Sequence, residues 1–367
     1  MTPTSNSLQL TARALALGLG LLALQPAVAQ AGGGAQAGQP RITGPADVTF
    51  QLLAQAPAQG AYQNQQVRRF LDDAGVLASV QERLVVVGNG SATPPFQLEF
   101  VGAVGVAPDS EAAAKWRNTY RKHASLFHEH GSFRVLDAAA AARNYTIHDF
   151  GTGSRAGRTT RRVVVYPRVD DKPIWLLELD VVSGRPLYAG EFDRSIRLLG
   201  ELEVQSVQEI TEVAALPPEW NWRPRMTLVP HATAADGIQS MQSGDQDDSL
   251  LVHPRLDQQV AEYAIHRTHV TEDPLNGARS LVLTYSDGID SFFVVQAPGS
   301  PNPLQVFPNL LQPQGTRTHT IAYHDDPAQR VYWFGHGDTT FTIAGSGALQ
   351  RLDAVAKQVY RQAVARN

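Results

Sequence analysis

The residues that most invite chemistry are the imidazoles of "HASLFHEHG" (123–131). His123, His128 and His130, with Glu129 beside them, supply by count the ligands of a zinc site and would make a metal-dependent hydrolase. Their spacing argues against it. On a helix, positions two apart point about 200° apart, which separates His128 from His130, and His123 lies five positions before His128. A polar helix end, with imidazoles near the negative end of the dipole, accounts for the same residues. His336 in "FGHGD" (334–338) falls in a hairpin turn, and no G-x-S-x-G nucleophile elbow occurs. Ser286 of "SDG" (286–288) explains itself as turn chemistry, and Ser346 in "GSGALQR" (345–351) as a helix N-cap. The reading is therefore of a protein that is not an enzyme, with no catalytic residue, metal or cofactor assigned.

The elements that carry these residues are mostly strands. "FQLEF" (96–100) puts Phe96, Leu98 and Phe100 on one face, and "PIWLLELDV" (173–181) does the same with Trp175, Leu177 and Leu179 against Glu178 and Asp180. Period-2 alternation of this kind marks antiparallel strands with one buried face. Further strand runs are read at 61–71, 76–88, 144–150, 160–168, 185–193 and 200–210, separated by hairpin-length connections. Ser183-Gly184 supplies the positive φ that a tight turn needs. Pro108-Asp109-Ser110 starts a helix whose Trp116, Tyr120, Ala124 and Phe127 form one apolar stripe. A short helix opens the fold within 46–56, and a closing one spans 348–364 with Leu349, Leu352, Val355, Ala356 and Val359 on one side.

The ends and the charge bound the function. Residues 1–29 carry one charge, Arg13, then the apolar run "ALALGLGLLAL" and small residues at "AVA" (27–29), the pattern of a cleaved export signal. Residues 30–45 read as a flexible linker. Cleavage would take the balance from 31 basic against 35 acidic side chains to 30 against 35, which gives no electrostatic footprint for nucleic acid. The chain has no cysteine, so neither a disulfide nor a lipidated cysteine holds it. The expectation is a soluble extracytoplasmic protein, periplasmic if bacterial, whose oligomeric state the composition leaves open. The proline- and tryptophan-rich "LPPEWNWRPRM" (216–226) interrupts all regular structure. It is read as the boundary between a domain at 46–215 and another at 227–367, with Trp220 and Trp222 as packing residues.

Two stretches carry a resemblance. "NYTIHDFGTGSRAGRTTRRVVVYPRVDDKPIWLLELDVVSGRPLYAGEFD" (144–193) has "AGR" before a β-run ending in "YPR", then an apolar strand, "SGRPL" and an acidic "EFD". It resembles the MucB/RseB family of periplasmic sigma-factor regulators, whose N-terminal fold is shared with lipoprotein carriers of the LolA type. "LTYSDGIDSFFVVQAP" (283–298) is similar to the signature hairpin of that family's small C-terminal domain. The resemblance is good over 144–210 and 278–362 and loose over 46–143 and 226–277.

The resemblance implies a mainly β (α+β) fold. A large curved antiparallel half-barrel has helices on its concave face, and a smaller antiparallel domain ends in a helix. It also implies a regulator of the sigma-E envelope stress response. Such a protein holds the periplasmic domain of an anti-sigma factor and is released by lipid-type signals; carriage of a lipid or lipoprotein is the alternative. On this reading an acyl chain would occupy an apolar cavity lined by Phe96, Leu98, Phe100, Trp116, Tyr120, Trp175, Leu177 and Leu179, although the same side chains could form a solid core. The partner surface is expected around Tyr285, Asp287, Phe292 and Phe293.

Overall fold

The computed structural model describes residues 41–71, 77–88, 94, 96–117, 120, 128, 132–169, 172–210, 226–227, 256–272, 279–298, 322–326, 329–336, 339–345 and 349–365. The export segment, residues 216–225 of the expected boundary, His123, Glu129, His130 and Ser346 lie outside the described residues.

The fold is mainly antiparallel β. The first sheet has eight strands: β1 (Ala61–Leu71), β2 (Leu77–Val87), β3 (Phe96–Ala103), β4 (Tyr145–Arg155), β5 (Arg158–Pro167), β6 (Ile174–Asp180), β7 (Pro186–Phe192) and β8 (Leu198–Ile210). Their order, β3-β2-β1-β8-β7-β6-β5-β4, is two hairpin meanders joined where β1 pairs with β8. Register shifts interrupt five of the seven pairings, and such bulges bend and twist a sheet. The result is the expected half-barrel with one concave face.

Helices close that face. Thr49 caps α1 (Phe50–Gln55) through its side chain, which accepts from Leu52 N at 3.1 Å. Asp137 caps α2 (Ala138–Asn144) by accepting from Ala140 N at 2.9 Å. Residues 111–117, Tyr120 and His128 are helical as the stripe predicts. The helix α2 was not anticipated, although an N-capping Asp before five alanines is a start signal in its own right. The segment read as a flexible linker is in part a packed piece of the domain: Ile42 is buried, and its amide donates to Val181 O at 3.0 Å.

The second sheet uses β9 (Met226–Thr227), β10 (Gln259–Val260), β11 (Tyr263–Glu272), β12 (Arg279–Ser286), β13 (Ser291–Pro298), β14 (Ala322–Asp326), β15 (Gln329–His336) and β16 (Thr339–Gly345). The order is β10-β11-β12-β13-β16-β15-β14, with β9 on β11. Its core is sealed by α3 (Leu349–Ala365), whose Leu352, Val355, Ala356 and Val359 are all buried against the sheet. His336 ends β15 opposite Thr339, as a hairpin requires. Strands β11 and β14 were not anticipated.

The acidic side of β6 is not a solvated face. Glu178 and Asp180 are 9% and 1% exposed, because neighbouring strands lay arginines over them. Arg155 reaches Glu178 at 3.0 Å and Arg158 reaches Asp180 at 2.9 Å. Alternation correctly separated the faces, and paired guanidinium groups then covered the polar one.

Candidate functional site

The eight residues expected to line one apolar cavity divide into two packed clusters. Leu98 and Tyr120 are buried with Tyr62, Leu84 and Val86, and half-buried Phe96, Phe100 and Trp116 pack against them. Trp116 stacks on Phe100 with parallel rings 6.0 Å apart, and Tyr120 meets the same ring at 5.8 Å. Thus the helix does meet the β3 face. At the other end of the concave surface, Trp175, Leu177 and Leu179 are buried with Leu53, Ala141, Tyr145 and Val163, and Phe133 lies edge-on to Trp175. Among the described residues, the two halves of the expected cavity are separate cores.

A buried polar network lies against the first cluster. Arg68 and Glu82 form a buried ion pair at 2.6 Å, Gln66 Nε2 donates to Glu82 at 2.7 Å, and the Tyr120 hydroxyl also donates to that carboxylate. Burial, then the Glu82 charge, pushes the Tyr120 phenol well above its ordinary value. A cavity of about 60 Å³ opens beside this network, lined by Tyr62, Asn64, Gln66, Leu84, Phe133 and Arg134 among others. Small-molecule sites commonly measure roughly 300–1,000 Å³, so this space does not hold a long acyl chain.

His128 sits in the wall of the cavity. Its ring lies 4.1 Å from that of Phe96, and its Nε2 accepts from Arg134 Nη2 at 2.7 Å. Burial, followed by the charges of Arg134 and Arg68, holds its pKa well below the usual imidazole value. A neutral imidazole has the Nε2 lone pair that accepts this hydrogen bond from the guanidinium.

The expected partner surface is inside the molecule. Tyr285, Asp287, Phe292 and Phe293 are 0%, 1%, 2% and 7% exposed. This corrects the expectation, and the cause is the path of the β12–β13 turn. Tyr285 and Phe292 stack at 5.0 Å within the small domain's core, and Phe293 packs on the opposite sheet face with Val282 and Ala344. The turn itself reaches the elements of the first sheet. Asp287 Oδ1 accepts from Ile289 N at 3.0 Å and Asp290 N at 2.9 Å, which shapes the turn. Its Oδ2 accepts from the Tyr145 hydroxyl at 2.9 Å and pairs with the Lys172 ammonium. Gly288 O accepts from Leu136 N at 2.8 Å, and Asn144 Nδ2 donates to Asp287 O at 2.7 Å. Ile289 completes the contact by joining the cluster of Leu177 and Leu179. Lys172 and Tyr145 were missed in the sequence because nothing local in "DDKP" or "NYT" signals a partner more than a hundred residues away.

No family model matches this chain, and no curated protein matches it. Solved structures do. The chain is similar to MucB. A crystal structure of MucB aligns with a TM-score of 0.42 at 17% identity, covering 84% of this chain and 95% of that one. The MucA/MucB complex of Pseudomonas aeruginosa aligns at 0.40 and 16%, with the same coverage. A putative outer membrane lipoprotein-sorting protein domain from Vibrio parahaemolyticus aligns at 0.23 and 10%, over 47% of this chain and 96% of that domain.

Proposed function

We propose that this chain is an exported, non-enzymatic regulator of an envelope stress response that holds the periplasmic domain of an anti-sigma factor. The observation that carries the reading is the domain junction. The two segments on which the sequence resemblance rests, the β6–β7 hairpin and the 286–290 turn, close on one core: Ile289 packs with Leu177, Leu179 and Ala189. Two rigid sheets joined through one buried turn make a clamp, and a partner bound across both domains is released when that turn withdraws. No helix among the described residues is long and apolar enough to cross a membrane, and export rests on the pattern of residues 1–29.

Sensing of an acyl chain belongs to the same reading, and it is supported by the half-buried aromatics Phe96, Phe100 and Trp116 at one end of the concave face. Lipid or lipoprotein carriage is the second reading, resting on those same aromatics. The discriminating experiment is calorimetric titration with the periplasmic domain of a single-span anti-sigma factor. Saturable binding that is weakened by Lys172→Met supports the clamp. Absence of binding, together with transfer of lipid between vesicles, replaces regulation with carriage.

A further inference from the structure

The end of β3 runs into a loop whose side chains the two cores leave outside. Four large hydrophobic side chains are exposed among the described residues, and two of them, Val101 at 59% and Val104 at 77%, stand three positions apart. Val101 is the extra residue of a bulge: Phe100 pairs with Glu82 and Gly102 with Gln81, which leaves Val101 without a partner on β2. Val104 lies just past the strand end, and a Cβ built on the adjacent Gly105 would meet nothing within 4 Å. The loop therefore stands clear of its surroundings. Residues 100–108, "FVGAVGVAP", carry no charge. Scattered apolar side chains on a surface need no explanation, but a charge-free exposed cluster marks a contact with protein or membrane.

We propose that this loop seats the protein on a lipid bilayer, with Val101 and Val104 inserted among the outer acyl carbons. Backbone polar groups enter hydrocarbon only when they are paired, and the loop pairs its amides with protein: Val104 N donates to Ser79 O at 3.0 Å, Val106 N to Ala103 O at 3.2 Å and Ser110 N to Ala107 O at 3.1 Å. Behind the valines come groups suited to the headgroup layer. Phe100 and Trp116 are half-buried and stacked, and tryptophan is favoured at that level. Exposed Arg117 donates to Pro108 O at 3.0 Å, which holds a guanidinium beside the loop for a lipid phosphate. Charge points the same way. The chain carries 31 basic against 35 acidic side chains, so its surface as a whole is repelled by an anionic leaflet. Residues 100–117 balance Asp109 and Glu111 against Lys115 and Arg117, a net charge of zero, and touch a bilayer without that repulsion. A protein interface takes roughly 800 Å² from each partner, far more than one projecting loop offers, whereas a fluid surface needs no matching pocket. The site rests on neither the anti-sigma nor the acyl-chain reading.

The test is co-sedimentation with phosphatidylcholine vesicles, and with vesicles that also hold phosphatidylglycerol. It uses the chain without residues 1–29, so that their apolar run contributes nothing. Saturable partition into both is expected, with affinities within about threefold of each other, because burial of apolar surface rather than charge holds the loop. Val101→Asp and Val104→Asp should each weaken partition by roughly tenfold or more, since a carboxylate resists the bilayer. Arg117→Gln should cost roughly fivefold or less, the effect of one cation at the surface. Both valines are exposed, so these variants should keep the parent circular dichroism; if Val104→Asp does not fold, Val104→Ser decides. No sedimentation with either vesicle, or partition unchanged in both valine variants, would overturn the proposal. Binding confined to phosphatidylglycerol vesicles and abolished by salt would overturn it too, by showing adsorption through charge. If vesicles fail to bind and Val104→Asp instead weakens binding of a soluble anti-sigma domain, the loop is a protein contact.

Discussion

The Lys172 ammonium, from the β5–β6 connection, and the Asp287 carboxylate, from the β12–β13 turn of the other sheet, form an ion pair in which the side chains are 1% and 0% exposed. Lys172 also lies 4.7 Å above the Tyr263 ring. Removing one partner of a buried pair leaves the other charged and dry, at a cost of about 3–5 kcal/mol. Lys172→Met should lower stability by that order in urea denaturation. Adding Asp287→Asn, which keeps an oxygen for the Ile289 and Asp290 amides, should recover part of the loss. A double variant no better than Lys172→Met would show that the pair is not coupled.

Gly288 makes the second contact that this junction cannot give up. Its φ is +111°, and a Cβ built there would stand 2.2 Å from Ala141 N and 2.7 Å from Ala141 Cα, both backbone atoms of α2. An L-residue is strained at that φ, by roughly 1–3 kcal/mol, and the clash can be relieved only by separating the turn from the helix. Gly288→Ala should therefore expose the chain around 136–145 to protease while each sheet keeps its strand circular dichroism. A digestion pattern identical to that of the parent protein would show that the turn does not hold the domains together.

How much of this was legible beforehand follows from the range of each interaction. Alternation in "FQLEF" and "WLLELD" separated buried from covered faces, and the stripe of Trp116 and Tyr120 correctly brought a helix onto the β3 face, because both signals are local. Positive φ at Gly184, +76°, was likewise readable from its turn. Alternation cannot say what lies opposite a face. Phe100 and Leu177 look equivalent in sequence, yet they belong to different cores. The "SDGID" segment reads in sequence as turn chemistry beside an expected partner surface; its burial depends on Lys172 and Tyr145, far away in the chain.

His128 should make stability depend on pH. Its folded pKa lies below the ordinary 6.5, through burial first and then Arg134 and Arg68. The unfolded chain therefore takes up a proton near pH 6.5 that the folded chain refuses. The stabilisation is complete above that pH and is lost as pH falls toward the folded value, at up to about 1.4 kcal/mol per pH unit. His128→Gln should flatten the fall in unfolding free energy between pH 6.5 and 5 measured in urea. An unchanged slope would mean that other groups dominate.

The lipid arm of the proposed function makes its own demand on the aromatic cluster. Leu177 is fully buried, so Leu177→Ala should cost about 2–5 kcal/mol from its cavity, and an arginine there would unfold the domain whether or not lipid binds. Phe100 and Trp116 are only half-buried and stack on each other, so their truncation should cost less and leave a folded protein. An acyl chain entering there gains about 0.8 kcal/mol for each methylene buried, and it must displace part of the Phe100–Trp116 stack. Fatty acid added to the full chain should therefore shift tryptophan emission saturably in the micromolar range. The shift should vanish in Trp116→Phe, which isolates that residue from the other four tryptophans. Phe100→Ala should weaken binding with circular dichroism unchanged. If emission stays constant at every concentration below micelle formation, the aromatic cluster is closed core, and regulation has to operate through protein contacts at the Lys172–Asp287 junction.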